Sequence, residues 1–179
     1  MVASSRERPS LRKALFFLLT GCLLCGGVFC VCFFFFRESE ETRIKKVFSA
    51  LSGEMEKNGN EGLIVAAGKA KAAASACCDS VSFELPDSHM TGTFRKEELQ
   101  TRIFNVRKLF SSLRLDFLDY EFEILSDTEA HVHFSAVLTG RLTNGEEVRE
   151  IRELSAGLLR KEGEWKFKHL EIQEVFSDS

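Results

Sequence analysis

Beyond residue 36 the chain lacks any cluster of basic residues, and this absence excludes two classes of partner. Of its 179 residues, 24 are Lys or Arg and 27 are Asp or Glu. Four basic residues and one acidic residue precede residue 37, so the remaining part carries a net charge of about −6. Domains that bind nucleic acid or adhere to anionic lipid need a basic surface. We therefore expect no nucleic acid and no electrostatic adhesion to lipid for this part.

The same part also lacks the motifs of several enzyme classes. It has no Gly-rich phosphate loop and no Ser in a nucleophile-elbow context. Its only cysteines are the adjacent Cys77 and Cys78, so it has no Cys-x-x-Cys motif and no disulfide framework. We expect both thiols to pack at the end of a helix, and we expect no cofactor.

What the chain does contain is an uncharged apolar run over residues 14–36, of 23 residues. A helix needs roughly 20 such residues to cross the hydrocarbon core of a bilayer. Basic residues precede the run and acidic residues follow it, so the positive-inside rule predicts a cytoplasmic tail over residues 1–13. The expected layout is a single-pass signal-anchor followed by an extracytoplasmic domain over residues 37–179. This layout, with its short basic tail, fits the inner membrane of a bacterium.

Two features within the apolar run allow further hypotheses. Cys22, Gly26 and Cys30 recur every four residues, and such a strip of small residues lets two membrane helices approach closely. The sequence Leu19-Thr20-Gly21-Cys22 resembles the lipobox of bacterial lipoproteins, which would make Cys22 a lipidated N-terminus. The apolar stretch before Cys22 is short for a signal core, and the run continues well beyond it. Either alternative leaves the domain tethered to a membrane.

The first half of the domain reads as helical. Apolar residues from Ile44 to Met55 follow the spacing of an amphipathic helix, and an Ala-rich second helix is expected over Glu61–Cys78. A short strand over Val81–Leu85 and a loop over Asp87–Gly92 follow. Thr93 can cap a third helix. The apolar face of that helix comprises Leu99, Ile103, Val106, Phe110 and Leu113.

In the second half, apolar and polar residues alternate with a period of two, which is typical of strands. The alternation changes parity near Phe117–Leu118, which predicts a bulge, and Asn144-Gly145 is a strong hairpin signal. Strands over Val148–Arg160 and Trp165–Ile172 flank a turn at Glu162-Gly163. The expected class is α+β, with three helices packed on one face of a single antiparallel sheet.

This order of elements resembles the nuclear transport factor 2-like, or SnoaL-like, superfamily over residues 40–175. The resemblance is carried by the opening helix Glu41–Phe48, the helix start Arg95–Leu99 and the closing turn and strand Arg160–Phe167. It implies a curved, cystatin-like sheet wrapped around a long helix, forming a cone with an apolar pocket. Some members are isomerases, dehydratases or cyclases, and many others are non-catalytic binding or assembly domains. Several bitopic envelope proteins, including type IV secretion components, have a similar layout.

The resemblance directs attention to acid and base residues in the cone. Catalytic members place an Asp or His there, often with a Tyr, because burial raises a carboxyl pKa towards working pH. Tyr120, the only tyrosine, and Asp79, near the first strand, are the candidates here. The alternative for Tyr120 is a core aromatic, and Asp79 alternatively ends a helix or begins a strand. Glu84 alternates against apolar neighbours and is expected to face outward.

His131 and His133 share one face of a strand and could bind zinc. Glu150 or Glu153 from the neighbouring strand could approach as a third ligand. The alternative is an exposed or interface position on the helix-free side of the sheet, which often mediates dimers in the superfamily. His169 lies near a change of parity, so its direction stays open.

These observations favour a non-catalytic, membrane-anchored binding or assembly module with an apolar pocket, a dimer surface on its sheet, or both. Its expected partners are the membrane, a second copy or another envelope protein, and a small apolar ligand. A pocket enzyme of the isomerase, dehydratase or cyclase kind and a lipoprotein anchored at Cys22 are the alternatives.

Overall fold

The computed structural model describes residues 39–85 and 90–173. No helix in these ranges is both long and apolar enough to span a bilayer. The tail over residues 1–13, the anchor over residues 14–36, its strip of Cys22, Gly26 and Cys30, and the lipobox-like sequence lie outside the described residues. They stay predictions.

Three helices and seven strands make up the described part. The helices are α1 (Glu40–Met55), α2 (Leu63–Ser75) and α3 (Lys96–Leu109). The strands are β1 (Lys57–Asn58), β2 (Cys77–Leu85), β3 (Met90–Arg95), β4 (Phe110–Ile124), β5 (Glu129–Leu142), β6 (Glu147–Lys161) and β7 (Glu164–Ile172).

All seven strands form one curved sheet in the order β1-β4-β5-β6-β7-β2-β3. Consecutive strands from β4 to β7 pair antiparallel through hairpins, as expected. The expectation of a purely antiparallel sheet is wrong, because β2 pairs with β7 in parallel. Hairpin signals in a sequence report only pairs that are adjacent along the chain, and β2 and β7 are far apart in it.

The second helix ends earlier than expected. It stops at Ser75, and Cys77 and Cys78 begin β2 instead of closing the helix. The backbone N–H of Phe167 on β7 donates to the carbonyl of Ala76 at 2.9 Å. Pairing with β7 therefore takes these residues into the sheet, against the helical tendency of the Ala-rich segment before them.

The region around the third helix also differs from expectation. Thr93 does not cap α3 but lies in β3, opposite Ser82. The helix begins at Lys96, where the Glu98 carboxylate accepts the backbone N–H of Arg95 at 3.2 Å. Because α3 ends at Leu109, Phe110 and Leu113 belong to β4 rather than to the apolar face of the helix.

Several local predictions are confirmed. The bulge in β4 appears as a shift of register between Leu118 and Glu121, with Asp119 at a positive φ of 54°. In the β5–β6 hairpin Gly145 adopts a φ of 94°, and its N–H donates to the carbonyl of Leu142. Both residues of the Glu162-Gly163 turn have positive φ, which favours a tight hairpin.

The core lies between α1 and the helix-covered face of the sheet, which we call the inner face. Its buried side chains include Val132 and Phe134 of β5, Ala156 and Leu158 of β6 and Phe167 of β7. The opposite, outer face carries the alternate residues, such as His131, His133 and Ser155.

Two cations link the ends of α1 and α3. The buried Arg107 donates through Nη1 to the carbonyls of Glu54 and Met55, each at 2.7 Å, and through Nη2 to the Glu61 carboxylate at 2.6 Å. In return, Lys57 donates to the carbonyls of Arg107 and Phe110. Carbonyls at the end of α1 thus accept the side chain of Arg107 from α3. Carbonyls at the end of α3 and the start of β4 accept the side chain of Lys57, just beyond α1.

Candidate functional site

The interior of the cone is filled by aromatic rings. Phe48 of α1 is fully buried, with its ring centroid 4.8 Å from that of Phe134 and 4.9 Å from that of Phe167. The rings of Phe117 and Tyr120 lie 5.2 Å away on its other sides. All four contacts are edge-to-face, which is a favourable arrangement of aromatic rings. Phe48 therefore occupies the space that an apolar pocket inside the cone requires.

Tyr120 belongs to this aromatic cluster. It is half-buried, stacks on Phe122 at a centroid distance of 5.6 Å and has the ammonium of Lys45 5.8 Å from its ring centre. Burial raises the pKa of its phenol, which makes the group a weaker acid. In this position Tyr120 acts as a packing residue whose hydroxyl is poorly suited to donating a proton.

Asp79 lies elsewhere in the sheet. It is on β2, separated from β4 by β5, β6 and β7. Its side chain is 92% exposed and pairs with Lys161 at 3.4 Å. The structure therefore does not bring Asp79 and Tyr120 together as an acid–base pair, and solvent surrounds the carboxylate.

A cleft of about 350 Å³ lies beside Asp79 and includes Cys77 and Cys78 in its lining. Burial, reinforced by the neighbouring Cys78 and only partly opposed by Lys96, raises the pKa of the Cys77 thiol to about 12. A thiol that stays protonated at neutral pH is a poor nucleophile. Both cysteines are buried and help to pack the start of β2.

A larger groove runs between α1, α2 and the β6–β7 turn, and we call it the α1–α2 groove. Its volume is about 520 Å³, within the range of small-ligand sites. Charged side chains of both signs stand at its edges, where Arg43 pairs with Glu40 at 3.3 Å and Lys166 pairs with Glu164 at 3.6 Å. Its apolar lining comprises Val47, Ala50, Leu51, Ala72, Ala76 and Trp165.

Trp165 is fixed at the base of this groove. It is 3% exposed, and its indole N–H donates to the Glu40 carboxylate at 2.8 Å. Sequence analysis missed the groove because three separate segments form it. The run of small residues along α2 and just beyond it, which includes Ala72 and Ala76, is the one signal that could have indicated a gap beside α1.

A further open cleft of about 730 Å³ lies at the far ends of β4, β5 and β6. Its arginines have acidic neighbours, since Arg114 pairs with Asp116 at 2.7 Å and Arg141 pairs with Glu147 at 2.6 Å. The lining of this cleft is more polar than that of the α1–α2 groove, so the cleft is a weaker candidate for an apolar ligand.

His131 and His133 are exposed on the outer face of β5. The ring of His133 lies 3.4 Å from the side-chain amide of Gln173. Glu153 accepts a hydrogen bond from Ser135 at 2.8 Å and Glu150 pairs with Arg152 at 3.2 Å. Within residues 39–85 and 90–173, neither glutamate groups with the two histidines at metal-binding distances. The structure places the two imidazoles together on one face but assigns them no third ligand.

Glu84 is exposed on the outer side of β2, as its alternation indicates. His169 also faces outward, because a shift of register between Gly157 and Leu158 changes the parity of β7 after Phe167. This bulge explains why the sequence pattern left the direction of His169 open.

Solved structures share this fold at low sequence identity, whereas no family model and no curated protein matches the chain. A Novosphingobium aromaticivorans protein provisionally described as a scytalone dehydratase has a TM-score of 0.63 and 15% identity, covering 78% of this chain and 87% of that one. A hexachlorocyclohexane dehydrochlorinase (LinA type 2) has a TM-score of 0.58 and 15% identity, covering 74% and 83%. A provisional calcium/calmodulin-dependent kinase II association domain from Xanthomonas campestris has a TM-score of 0.61 and 11% identity, covering 78% and 91%.

The described domain has the nuclear transport factor 2-like fold. Identities of this size support the fold alone, and the same fold carries unrelated functions. The residues of this chain must therefore carry the argument about function.

Proposed function

We propose that the chain is a non-catalytic binding or assembly module that a single N-terminal helix anchors in a bacterial inner membrane, with residues 37–179 outside the cytoplasm. The observation that carries the proposal is the ring of Phe48 in the middle of the cone. The filled space around Phe48, and the position of Tyr120 and Asp79 on distant strands, support a scaffold role over a catalytic one.

The α1–α2 groove is the proposed site for a small apolar ligand. Its apolar lining can bury a hydrocarbon or ring system, and charged side chains of both signs at its edge can orient a polar group on that ligand. Trp165 is the only tryptophan in the chain, so its fluorescence reports directly on this groove.

The anionic apolar dye 8-anilinonaphthalene-1-sulfonate is a suitable probe for the full chain in detergent. We expect energy transfer from Trp165 to the bound dye, and we expect Ala50→Phe to weaken binding by filling the groove. Ala67→Phe is the matched control, because Ala67 is exposed on α2 but does not line the groove. Equal dye binding in both variants would reject the groove as the site.

Assembly through the outer face is the second part of the proposal. Leu118 on β4 and Ile151 on β6 are each 49% exposed, and they flank β5 on this face. Native mass spectrometry of the full chain in detergent should give a homodimer that Ile151→Glu weakens. Ile64→Glu is the control, because Ile64 is 89% exposed at the start of α2. If Ile64→Glu alone disrupts the dimer, the interface lies on α2 and not on the sheet.

A pocket enzyme is the competing function, and its support is that structures named for a dehydratase and a dehydrochlorinase share the fold. Under this alternative Tyr120 and Asp79 would serve as acid and base. Turnover of steroid-like or polyketide-like ketones by the full chain, lost in Tyr120→Phe, would overturn the non-catalytic proposal.

Topology and processing can be tested separately. A reporter fused to the C-terminus that is active only outside the cytoplasm should give signal, and a cytosolic reporter should stay silent. The intact mass of the mature chain distinguishes the two anchors, because cleavage before Cys22 with added acyl chains is expected only of a lipoprotein.

A further inference from the structure

We propose that Glu84, His169 and Glu171 form a binding site for a divalent transition-metal ion on the outer face of the sheet. One ligand atom from each residue lies within 4.8 Å of the other two. Two carboxylates and one imidazole are ligand types that such ions accept. The proposal requires the three side chains to rotate until these atoms converge on one ion.

The pairing of β2 with β7 creates the cluster. In the parallel register Ser82 lies opposite His169 and Glu84 lies opposite Glu171. Val81 and Phe83 point to the inner face, so Glu84 and its neighbours of the same parity point outward. Both strands are rigid sheet elements, which hold ligands more steadily than loops do.

Two hydroxyl groups orient the ligands. The Ser82 hydroxyl lies 2.8 Å from Nδ1 of His169, which fixes the ring and leaves Nε2 available. The Ser155 hydroxyl donates to the Glu171 carboxylate at 3.3 Å. Metal-binding histidines commonly have such a partner on their other nitrogen, and ligating carboxylates are likewise hydrogen-bonded.

Gly157 provides room beside His169. A Cβ atom at Gly157 would lie 3.4 Å from Cβ of His169 and 3.9 Å from Nε2 of His131. Nε2 of His131 and Cβ of His169 thus both border Gly157, which has no side chain of its own.

The charges around the cluster favour a cation. Within residues 39–85 and 90–173, neither Glu84 nor Glu171 has a Lys or Arg partner within 4.0 Å. Other acidic residues of the domain do, such as Glu61 with Arg107 and Asp79 with Lys161. Two neighbouring carboxylates repel each other, and a divalent cation between them would turn that repulsion into attraction.

The ligand set indicates which ion is bound. Imidazole suits zinc and its neighbours in the first transition row, whereas calcium and magnesium prefer oxygen ligands alone. Three protein ligands also leave at least one coordination position open, and Glu84 is exposed, so water or a group from a partner can reach the ion.

Mn²⁺ is the first probe, because carboxylates bind it well and cysteine thiolates, which are present in the N-terminal segment, bind it poorly. The full chain, purified in detergent without a histidine tag, is titrated with Mn²⁺ while the free ion is followed by electron paramagnetic resonance. We expect one Mn²⁺ per chain, displaced by an equal concentration of Zn²⁺ but not by an equal concentration of Ca²⁺.

The double variant Glu84→Gln/Glu171→Gln should weaken Mn²⁺ binding at least about 10-fold, and His169→Gln should weaken displacement by Zn²⁺. Glu121→Gln is the matched control, since Glu121 is exposed on β4 opposite His133 and lies outside the cluster. Circular dichroism confirms that each variant is folded. Absence of saturable binding, unchanged binding in the double variant, or equal displacement by Ca²⁺ would each overturn the proposal.

Discussion

The two faces of the sheet use the same strands for different purposes. On β5 the inward residues Val132 and Phe134 are buried in a cluster of aromatic rings, whereas the outward His131 and His133 are exposed. On β2 and β7 the outward residues form a cluster of a hydroxyl, an imidazole and carboxylates. Because side chains alternate along a strand, one face can be optimised for packing while the other stays free to bind. This difference between the faces is why the proposed binding surfaces lie on the exterior of the domain.

The largest expected effect comes from emptying the inner face. We expect Phe48→Ala to lower the free energy of unfolding by about 3–5 kcal/mol, because it removes a buried ring that four others contact. Leu118→Ala on the outer face should cost less than about 1 kcal/mol, since half of that side chain is already in water. Urea denaturation of both variants measures the difference. Similar losses would show that the outer face is also packed, for example against a second copy.

A pair of glycines gives a more local comparison. A Cβ atom at Gly140, on the inner side of β5, would lie 2.5 Å from the carbonyl oxygen of Ser112 and 2.9 Å from the ring of Phe110. We expect Gly140→Ala to cost about 1–3 kcal/mol through this overlap. Gly157→Ala on the outer face meets only ordinary contacts and should change stability by no more than about 0.5 kcal/mol. Thermal unfolding of the metal-free variants tests this, and a reversed order of stability would contradict it.

The smallest expected effect concerns the ion pair between Glu61 and Arg107. Burial by itself would raise the pKa of the Glu61 carboxyl, but hydrogen bonds and charges from Arg107 and Lys69 outweigh burial and lower it. A lowered pKa contributes stability above the unfolded value of 4.5, and this contribution is lost as the pH falls through the folded pKa. We expect Glu61→Gln to cost about 1–2 kcal/mol at pH 7 and progressively less below pH 4.5.

Denaturant titrations between about pH 3 and pH 7 measure how the difference in free energy of unfolding between wild type and Glu61→Gln shrinks as the pH falls. Glu121→Gln, an exposed residue of the outer face, should show no such dependence relative to wild type. A constant gap between wild type and Glu61→Gln at all pH values would mean that the lost contacts are independent of the charge of Glu61.

Local periodicity was sufficient to predict the hairpin-linked strands β4 to β7, the first helix and the bulge in β4. Prediction failed where long-range pairing decides structure. Cys77 and Cys78 join the sheet because β7 provides backbone partners, and no signal near them in the sequence reports this. The predicted loop over Asp87–Gly92 and the predicted helix cap at Thr93 overlap β3, which pairs with β2 along its whole length from Met90 to Arg95.

The proposed metal site was likewise predictable only in part. The outward direction of Glu84 and the core position of Val132 follow from alternation alone. Grouping Glu84 with His169 requires both the parallel register and the bulge after Gly157, which the sequence pattern does not contain. On α3, apolar spacing placed Val106 in the core, but Val106 is 40% exposed and Arg107 is the buried residue of that helix. A charged residue can take a core position when carbonyls and a carboxylate surround it.

The reciprocal contacts of Arg107 and Lys57 couple the unfolding of α1 to that of α3. Unwinding the last turn of α1 leaves the Arg107 guanidinium without its carbonyl partners, and unwinding α3 removes both Arg107 and the acceptors of Lys57. Fraying at either terminus thus disrupts the other, so the two ends behave as one cooperative unit. Amide protons in the final turns of both helices should consequently exchange with deuterium at a common rate, slower than those at the solvent-facing start of α2.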